Sequence, residues 1–153
     1  MEASENLSKF VLNIKDMYPE EICTPMRLDL TQEGFTEMRT EQEVDEILGA
    51  KSGSVLVMIN SVCGCAAGNA RPSVKMAAKH TKAPTKLTTV FAGQDKEAVA
   101  KVRDYCLPYP PSSPSIALFK DGELVHFIER HHIEGRPAPL IAENLTQAFD
   151  EFC

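Results

Sequence analysis

One apolar segment, Ser54–Asn60, constrains the fold of this chain more than any other feature. Its sequence, SVLVMIN, shows no alternation of apolar and polar residues. A strand with one face in water would alternate, whereas an unbroken apolar strand is typical of a sheet that is covered on both faces by helices. The segment therefore predicts an α/β fold with this strand at the centre of the sheet.

Strand-like and helix-like patterns alternate along the rest of the chain. We predict further strands at residues 35–39, 86–92, 115–119 and 123–128, with a hairpin turn at 120–122 (KDG) between the last two. Helices are predicted at the amino terminus (Leu7, Phe10, Val11, Ile14 and Met17), after the capping box Thr40–Glu43, at 66–80, at 96–106 after the cap 93–95, and at 138–152 with Leu140, Ile141, Leu145 and Phe149 on one face. Residues 23–34 show no clear pattern.

Length and composition predict the number of domains and the cellular location. A chain of 153 residues with 43% apolar residues can bury one core, so we expect a single domain over 1–153, with an N-terminal extension (1–34) and a core (35–153). The formal charge of −6 argues against a nucleic-acid partner. Because the first six residues lack the pattern of a signal peptide and no apolar segment is long enough to cross a bilayer, we expect a cytoplasmic protein without a membrane partner.

Two thiols separated by one residue, Cys63 and Cys65, follow the central strand at a predicted strand-to-helix turn. The unpaired N–H groups at a helix start favour the thiolate, which is the form that attacks disulfides. The pattern predicts thiol–disulfide exchange, with Cys63 at the outer edge of the turn as the nucleophile and Cys65 as the resolving thiol. Gly64 gives the turn its backbone freedom.

Three other interpretations of the pair remain open. The thiols could be buried and inert, they could join histidines in a zinc site, or they could report redox state to a partner as a redox-responsive or metal-binding adaptor. No second cysteine pair or histidine pair has the usual ligand spacing, so we predict no metal. His131, His132 and Glu134 are expected to pack in a loop away from the dithiol.

Three further cysteines and two polar residues near the turn are candidates for structural or binding roles. Cys106 is expected to be buried at a helix end and Cys153 to be frayed, while Cys23 has no assigned role. Arg71 is a candidate to lower the pKa of a thiol or to bind a carboxylate of a small thiol, or is an exposed helix residue. Asn60 is a candidate to bind ligand backbone, or has a turn role.

The order of the predicted elements resembles a thioredoxin fold, in which a central mixed sheet is flanked by helices. The segment that begins at Pro114 is similar to the one in which thioredoxins have a cis-proline facing their cysteines. The resemblance implies that Pro114, with the adjacent Ser113, contacts substrate. Thioredoxins usually have two residues between their cysteines, and this chain has one.

Three longer segments resemble the bacilliredoxin family, thioredoxin-like proteins with a Cys-Gly-Cys motif. They are residues 60–72 (NSVCGCAAGNARP), 109–115 (YPPSSPS) and 128–137 (IERHHIEGRP). The resemblance implies removal of bacillithiol, a low-molecular-weight thiol, from mixed disulfides on client proteins, with disulfide isomerase or reductase activity also compatible. It implies S-thiolated clients and a regenerating reductase as partners, bacillithiol as substrate or co-substrate, and no other cofactor.

Overall fold

A computed structural model describes residues 17–153 as a five-stranded mixed sheet with helices on both faces, which confirms the predicted fold class. The predicted opening helix, built on Leu7 to Ile14, lies outside the described residues. The elements in chain order are α1 (Glu20–Thr31), β1 (Thr36–Glu37), α2 (Glu41–Leu48), β2 (Ser54–Asn60), a π-helical turn (Ala66–Ala70), α3 (Arg71–Ala77), β3 (Lys86–Phe91), α4 (Lys96–Tyr105), β4 (Ser115–Lys120), β5 (Glu123–Ile128), a 3-10 turn (Arg130–His132) and α5 (Ala138–Phe152).

The sheet places β2 at its centre, in the order β1-β3-β2-β4-β5. Strands β1, β3 and β2 are parallel, and β4 and β5 are antiparallel to their neighbours. Val57 illustrates the register, since it lies opposite Thr88 of β3 and Ala117 of β4. All seven residues of β2 are buried, so the prediction of a doubly covered central strand is confirmed.

The side chains of β2 divide between two hydrophobic cores. Leu56 and Met58 point to the face that is covered by α1, α3 and α5, whereas Val55, Val57 and Ile59 point to the face that is covered by α2 and α4. This division follows from the twofold side-chain period of a strand. The strand that ends at the thiol turn is therefore fixed from both sides of the sheet.

Local sequence signals placed several elements correctly. Thr40 caps α2 by accepting a hydrogen bond from the backbone N–H of Glu43 at 3.1 Å. The hairpin turn has positive φ at Asp121 (50°) and Gly122 (84°), as a two-residue turn between twisted strands requires. Leu140 departs from the prediction, because it is 57% exposed and does not share the buried face of α5.

Tertiary contacts explain the other differences. The unpatterned segment 23–34 is largely helical, since α1 spans Glu20–Thr31. The first strand is only two residues long, and its pairing with β3 is limited to those residues. The predicted cap of α4 is wrong in one respect: Asp95 occupies the cap position, yet its side chain caps no N–H group.

Asp95 instead pairs with a buried arginine, Arg27. The Arg27 guanidinium donates to both carboxylate oxygens of Asp95 (2.7 and 3.0 Å), to Glu37 (3.0 Å) and to Glu20 (2.8 Å). It also lies over the ring of Phe91, 5.0 Å from the centroid. These contacts join α1 to β1 and to the start of α4.

No helix among residues 17–153 has both the length and the apolar character that crossing a bilayer requires.

Replacing Arg27 with methionine should lower the free energy of unfolding by about 3 kcal/mol, because the buried Asp95 carboxylate would lose its main counter-ion. Urea unfolding at pH 7 would measure the change. Arg39→Met is the matched control, since Arg39 is half exposed and contacts the same carboxylate at 3.3 Å. We expect that control to cost less than about 1 kcal/mol. Equal losses in the two variants would contradict the assignment of Arg27 as the anchor.

Candidate active site

The two thiols lie in the loop between β2 and the helical segment that follows it. The segment begins with the π-helical turn and continues as α3, in which Pro72 occupies the first turn. Pro72 has no N–H group, so it donates no hydrogen bond to the preceding turn at the point where the π-helical turn passes directly into α3. Both cysteines are thiols of intermediate exposure, and their Sγ atoms are 2.8 Å apart. Two sulfurs this close interact directly.

Buried hydrogen bonds fix the turn to the end of β2. The Asn60 side-chain oxygen accepts from the backbone N–H of Ser61 and from the Arg71 guanidinium, both at 2.9 Å. Arg71 also donates to the Ser61 carbonyl at 3.0 Å, and the Ser61 hydroxyl accepts from the N–H of Cys63 at 3.2 Å. The Asn60 amide donates to the Met26 carbonyl of α1 at 3.1 Å. A continuous set of bonds thus runs from Arg71 to the backbone of Cys63.

These contacts give Asn60 and Arg71 supporting positions. Arg71 is 5% exposed, and its Nε lies 3.3 Å from a carboxylate oxygen of Asp29. The guanidinium is therefore not the exposed helix residue of one interpretation, and its contacts to Asn60, Ser61 and Asp29 hold it inside the fold. A role of Arg71 toward substrate stays a prediction. Asn60 is 1% exposed, and its side-chain oxygen and amide nitrogen both form hydrogen bonds within the protein, which agrees with the turn role.

Arg130 contacts the sulfur of Cys63. Its guanidinium donates to Cys63 Sγ at 3.3 Å and to the Ser113 carbonyl at 3.2 Å, and it pairs with the Glu134 carboxylate. Glu134 was expected to lie away from the dithiol, yet it pairs with the arginine that contacts Cys63 Sγ. Sequence reasoning missed Arg130 because 67 positions separate it from Cys63 and no local spacing links them.

The two thiols have opposite acidities. A hydrogen bond from the Cys65 thiol, a second from the Cys65 backbone N–H and the charge of Arg130 lower the pKa of Cys63. Burial, together with the neighbouring Cys63 sulfur, raises the pKa of Cys65 to about 11. When one proton is lost, the negative charge resides on Cys63 and the proton on Cys65.

A groove with a volume of about 350 Å³ opens beside Cys63. Ser113 and Arg130 are among the residues that line it. The Ser113–Pro114 peptide is cis, as the thioredoxin resemblance implies, and Pro114 is buried. The structure thus brings Cys63 and Ser113 to one groove, and Pro114 is the residue that follows Ser113. Their roles toward substrate stay predictions.

The remaining cysteines lie outside the site. Cys23 and Cys106 are buried, at 0% and 2% exposure, and burial raises the pKa of Cys106 to about 12. Cys106 therefore matches its predicted position at a helix end. The expectation that Cys153 is frayed is wrong: its backbone N–H bonds to the Phe149 carbonyl at 2.8 Å, and the residue packs against the core beside α5.

His126 lies on β5, and His131 and His132 lie in the 3-10 turn that follows it. The ring of His126 bonds to the Asn144 side chain at 2.7 Å. Ligand atoms of Glu129, His131 and His132 lie within 4.8 Å of one another, and they form the one such group of three among residues 17–153. That group includes neither Cys63 nor Cys65. The expected absence of a metal stays a prediction.

Comparison with known proteins yields one family and one fold. The family model described as disulphide isomerase matches residues 18–153. A bacilliredoxin of Cytophaga hutchinsonii is 58% identical over 135 residues, which are 88% of this chain and 99% of that protein. A bacilliredoxin of Halalkalibacterium halodurans is 52% identical over 136 residues, 89% of this chain and 94% of that protein.

Solved structures agree on the fold. Fasciola hepatica thioredoxin superposes with a TM-score of 0.56 at 19% identity, over 78% of this chain and 100% of that one. Reduced Schistosoma mansoni thioredoxin gives 0.53 at 15% identity, over 78% and 98%. With a thioredoxin fold, two adjacent thiols of opposite acidity and relatives above 50% identity, this chain is a thiol–disulfide oxidoreductase and belongs to the bacilliredoxin family.

Proposed function

We propose that this protein removes bacillithiol from mixed disulfides on cytoplasmic client proteins. The single observation that supports this most is the asymmetry of the dithiol: Cys63 borders a small-molecule-sized groove and contacts Arg130, while Cys65 keeps its proton 2.8 Å away. The family relationship supports the choice of thiol, since the bacilliredoxin name is shared by relatives from several bacteria.

In the first step, the Cys63 thiolate attacks the sulfur that belongs to the small thiol. A bond forms between Cys63 Sγ and that sulfur, the disulfide bond between that sulfur and the client sulfur breaks, and the client leaves as a thiolate that takes a proton from water. Arg130 lowers the pKa of Cys63, so a larger fraction is reactive near neutral pH. The client recovers its free thiol.

In the second step, Cys65 loses its proton and attacks Cys63 Sγ. The Cys63–Cys65 disulfide forms and the small thiol leaves as a thiolate. The short Sγ–Sγ distance lets the resolving thiol reach its target without a movement of the fold. The enzyme is then oxidised by two electrons, and a dithiol reductase, or two small thiols that leave joined as a disulfide, must return it to the starting state.

Disulfide isomerase activity is a second candidate for the same site. The matching family model is described as disulphide isomerase. A reduced Cys63 that attacks a client sulfur, rather than the sulfur of a small thiol, would exchange disulfides within that client. The adaptor alternative predicts binding to a partner without turnover.

A Cys65→Ser variant should trap the first intermediate, because the resolving thiol is absent. After incubation with a bacillithiol-modified client, mass spectrometry should find one bacillithiol on Cys63 and a client with a free thiol. Cys63→Ser should acquire no adduct, and Cys106→Ser with an intact dithiol should behave as the wild type.

The outcomes separate the candidates. An adduct on Cys63 with client release supports transfer of the small thiol. A covalent complex between Cys63 and the client supports isomerase-type attack on the client sulfur. Absence of both products would overturn the oxidoreductase proposal for these substrates and favour the adaptor.

The contact between Arg130 and Cys63 generates a prediction about reactivity. Because Arg130 stabilises the thiolate, Arg130→Gln should raise the pKa of Cys63 and slow its alkylation by iodoacetamide at pH 7 several-fold. The rate should rise with pH in both proteins, and it should level off at a higher pH in the variant.

Arg136→Gln is the matched control for this experiment. Arg136 is an exposed arginine of the same loop, and in the described part of the chain its guanidinium bonds to neither sulfur. We expect the control to alkylate like the wild type. Equal slowing by the two substitutions would show that the loop's general charge, and not the Arg130 contact, sets the reactivity of Cys63.

A further inference from the structure

The groove beside Cys63 contains a second arginine, Arg103, from the last turn of α4. Arg103 is partly buried, and its Nε atom is buried without a hydrogen-bond partner among the described residues. No carboxylate of residues 17–153 forms an ion pair with it. Burying a cation without a counter-ion costs free energy, so a feature of this kind requires an explanation.

Arg71 Nε also has no hydrogen-bond partner, but it lies 3.3 Å from an Asp29 carboxylate oxygen, so the lack of an ion pair is what distinguishes Arg103 from the other arginines in buried or functional positions. Arg27 is paired with three carboxylates, Arg71 lies beside Asp29, and Arg130 is paired with Glu134. Burial without a nearby carboxylate lowers the pKa of Arg103, although it remains a cation at neutral pH. Among the described residues, Arg103 is thus a half-buried guanidinium that lacks a protein anion.

The lining of the groove points to an anionic ligand. Arg103 and Arg130 contribute two positive charges, and none of the described lining residues is an aspartate or glutamate. The chain as a whole has a formal charge of −6, so this local excess of cations opposes the overall charge. Cys63 is in the same lining, together with the neutral polar side chains of Tyr18, Ser61 and Ser113.

We propose that this groove is the binding site for the small-thiol part of the mixed disulfide, and that Arg103 pairs with a carboxylate of that thiol. The inference rests on the proposed function, since it names the ligand class that reaches Cys63. Guanidinium is suited to this task because it binds carboxylates through paired, charge-assisted hydrogen bonds. The volume of about 350 Å³ is at the small end of small-molecule sites, which span roughly 300 to 1,000 Å³.

The positions of the two arginines give them different roles. Arg130 contacts the attacking sulfur and is partly neutralised by Glu134, so its main effect is on the reactivity of Cys63. Arg103 has no such partner and remains available to a ligand. Specificity for carboxylate-bearing thiols therefore depends on Arg103 rather than on Arg71, whose guanidinium is occupied inside the fold.

The test uses one client protein whose single cysteine is capped with either of two small thiols. Mercaptosuccinate has two carboxylates, and 2-mercaptoethanol has none. The measured quantity is the ratio of kcat/KM for the dicarboxylate adduct to kcat/KM for the neutral adduct, with KM and kcat determined separately. Wild-type protein should favour the dicarboxylate adduct through a lower KM.

Arg103→Gln should reduce that ratio about tenfold, the effect expected for loss of one charge-assisted hydrogen-bonded pair. Arg103→Lys keeps the charge and should restore part of the ratio. Arg136→Gln removes an exposed arginine outside the groove lining and should leave the ratio unchanged. An unchanged ratio in Arg103→Gln would overturn the inference.

A binding measurement separates this inference from the proposed function. S-methyl mercaptosuccinate cannot undergo disulfide exchange, so NMR titration with it reports binding alone. Saturable shifts at the groove residues in the wild type, weakened in Arg103→Gln, would support the subsite even if no adduct were ever transferred. Absence of binding in the wild type, together with no preference for the dicarboxylate adduct, would overturn the subsite.

Discussion

The reactive turn depends on the buried contact between Arg71 and the end of β2. A guanidinium that is 5% exposed needs polar partners inside the protein, and here Asn60 and the Ser61 carbonyl accept hydrogen bonds while Asp29 supplies a counter-ion. The acceptors belong to α1 and to the end of the central strand, and the donor belongs to α3. One buried cation thereby fixes the loop that contains both thiols relative to the sheet, and the Ser61 hydroxyl extends the restraint to the backbone of Cys63.

Given that fixed turn, proximity accounts for the different acidities of two chemically identical thiols. Two thiolates 2.8 Å apart would repel each other strongly, so the first proton lost makes the second harder to remove. Arg130 and the Cys65 backbone N–H place the first charge on Cys63, and partial burial keeps the proton on Cys65. A nucleophile beside an open groove and a protonated thiol beneath it are the arrangement that two successive exchange steps require.

Features that depend on local sequence were predictable, and those that depend on distant residues were not. The apolar β2, the capping box at Thr40 and the Asp121–Gly122 turn each have a local physical cause, so their patterns identified them. Cys63 and Cys65 were identifiable because two thiols one residue apart follow a strand at a predicted helix start, where the thiolate is favoured. Arg130 and Arg103 reach the groove from elements remote in sequence, and an isolated arginine looks the same whether it lies in solvent or beside a sulfur.

The central claim is that Cys63 ionises first and Cys65 second, and site-resolved titration tests it most directly. Protein labelled with ¹³C at the cysteine β-carbons would be followed by NMR from pH 5 to 11, with Cys63→Ser and Cys65→Ser spectra for assignment. The structure predicts that the Cys63 signal titrates first, with a pKa below the usual thiol value of 9. The Cys65 signal should respond only at higher pH. Simultaneous ionisation of the two thiols, or Cys65 ionising first, would contradict the account.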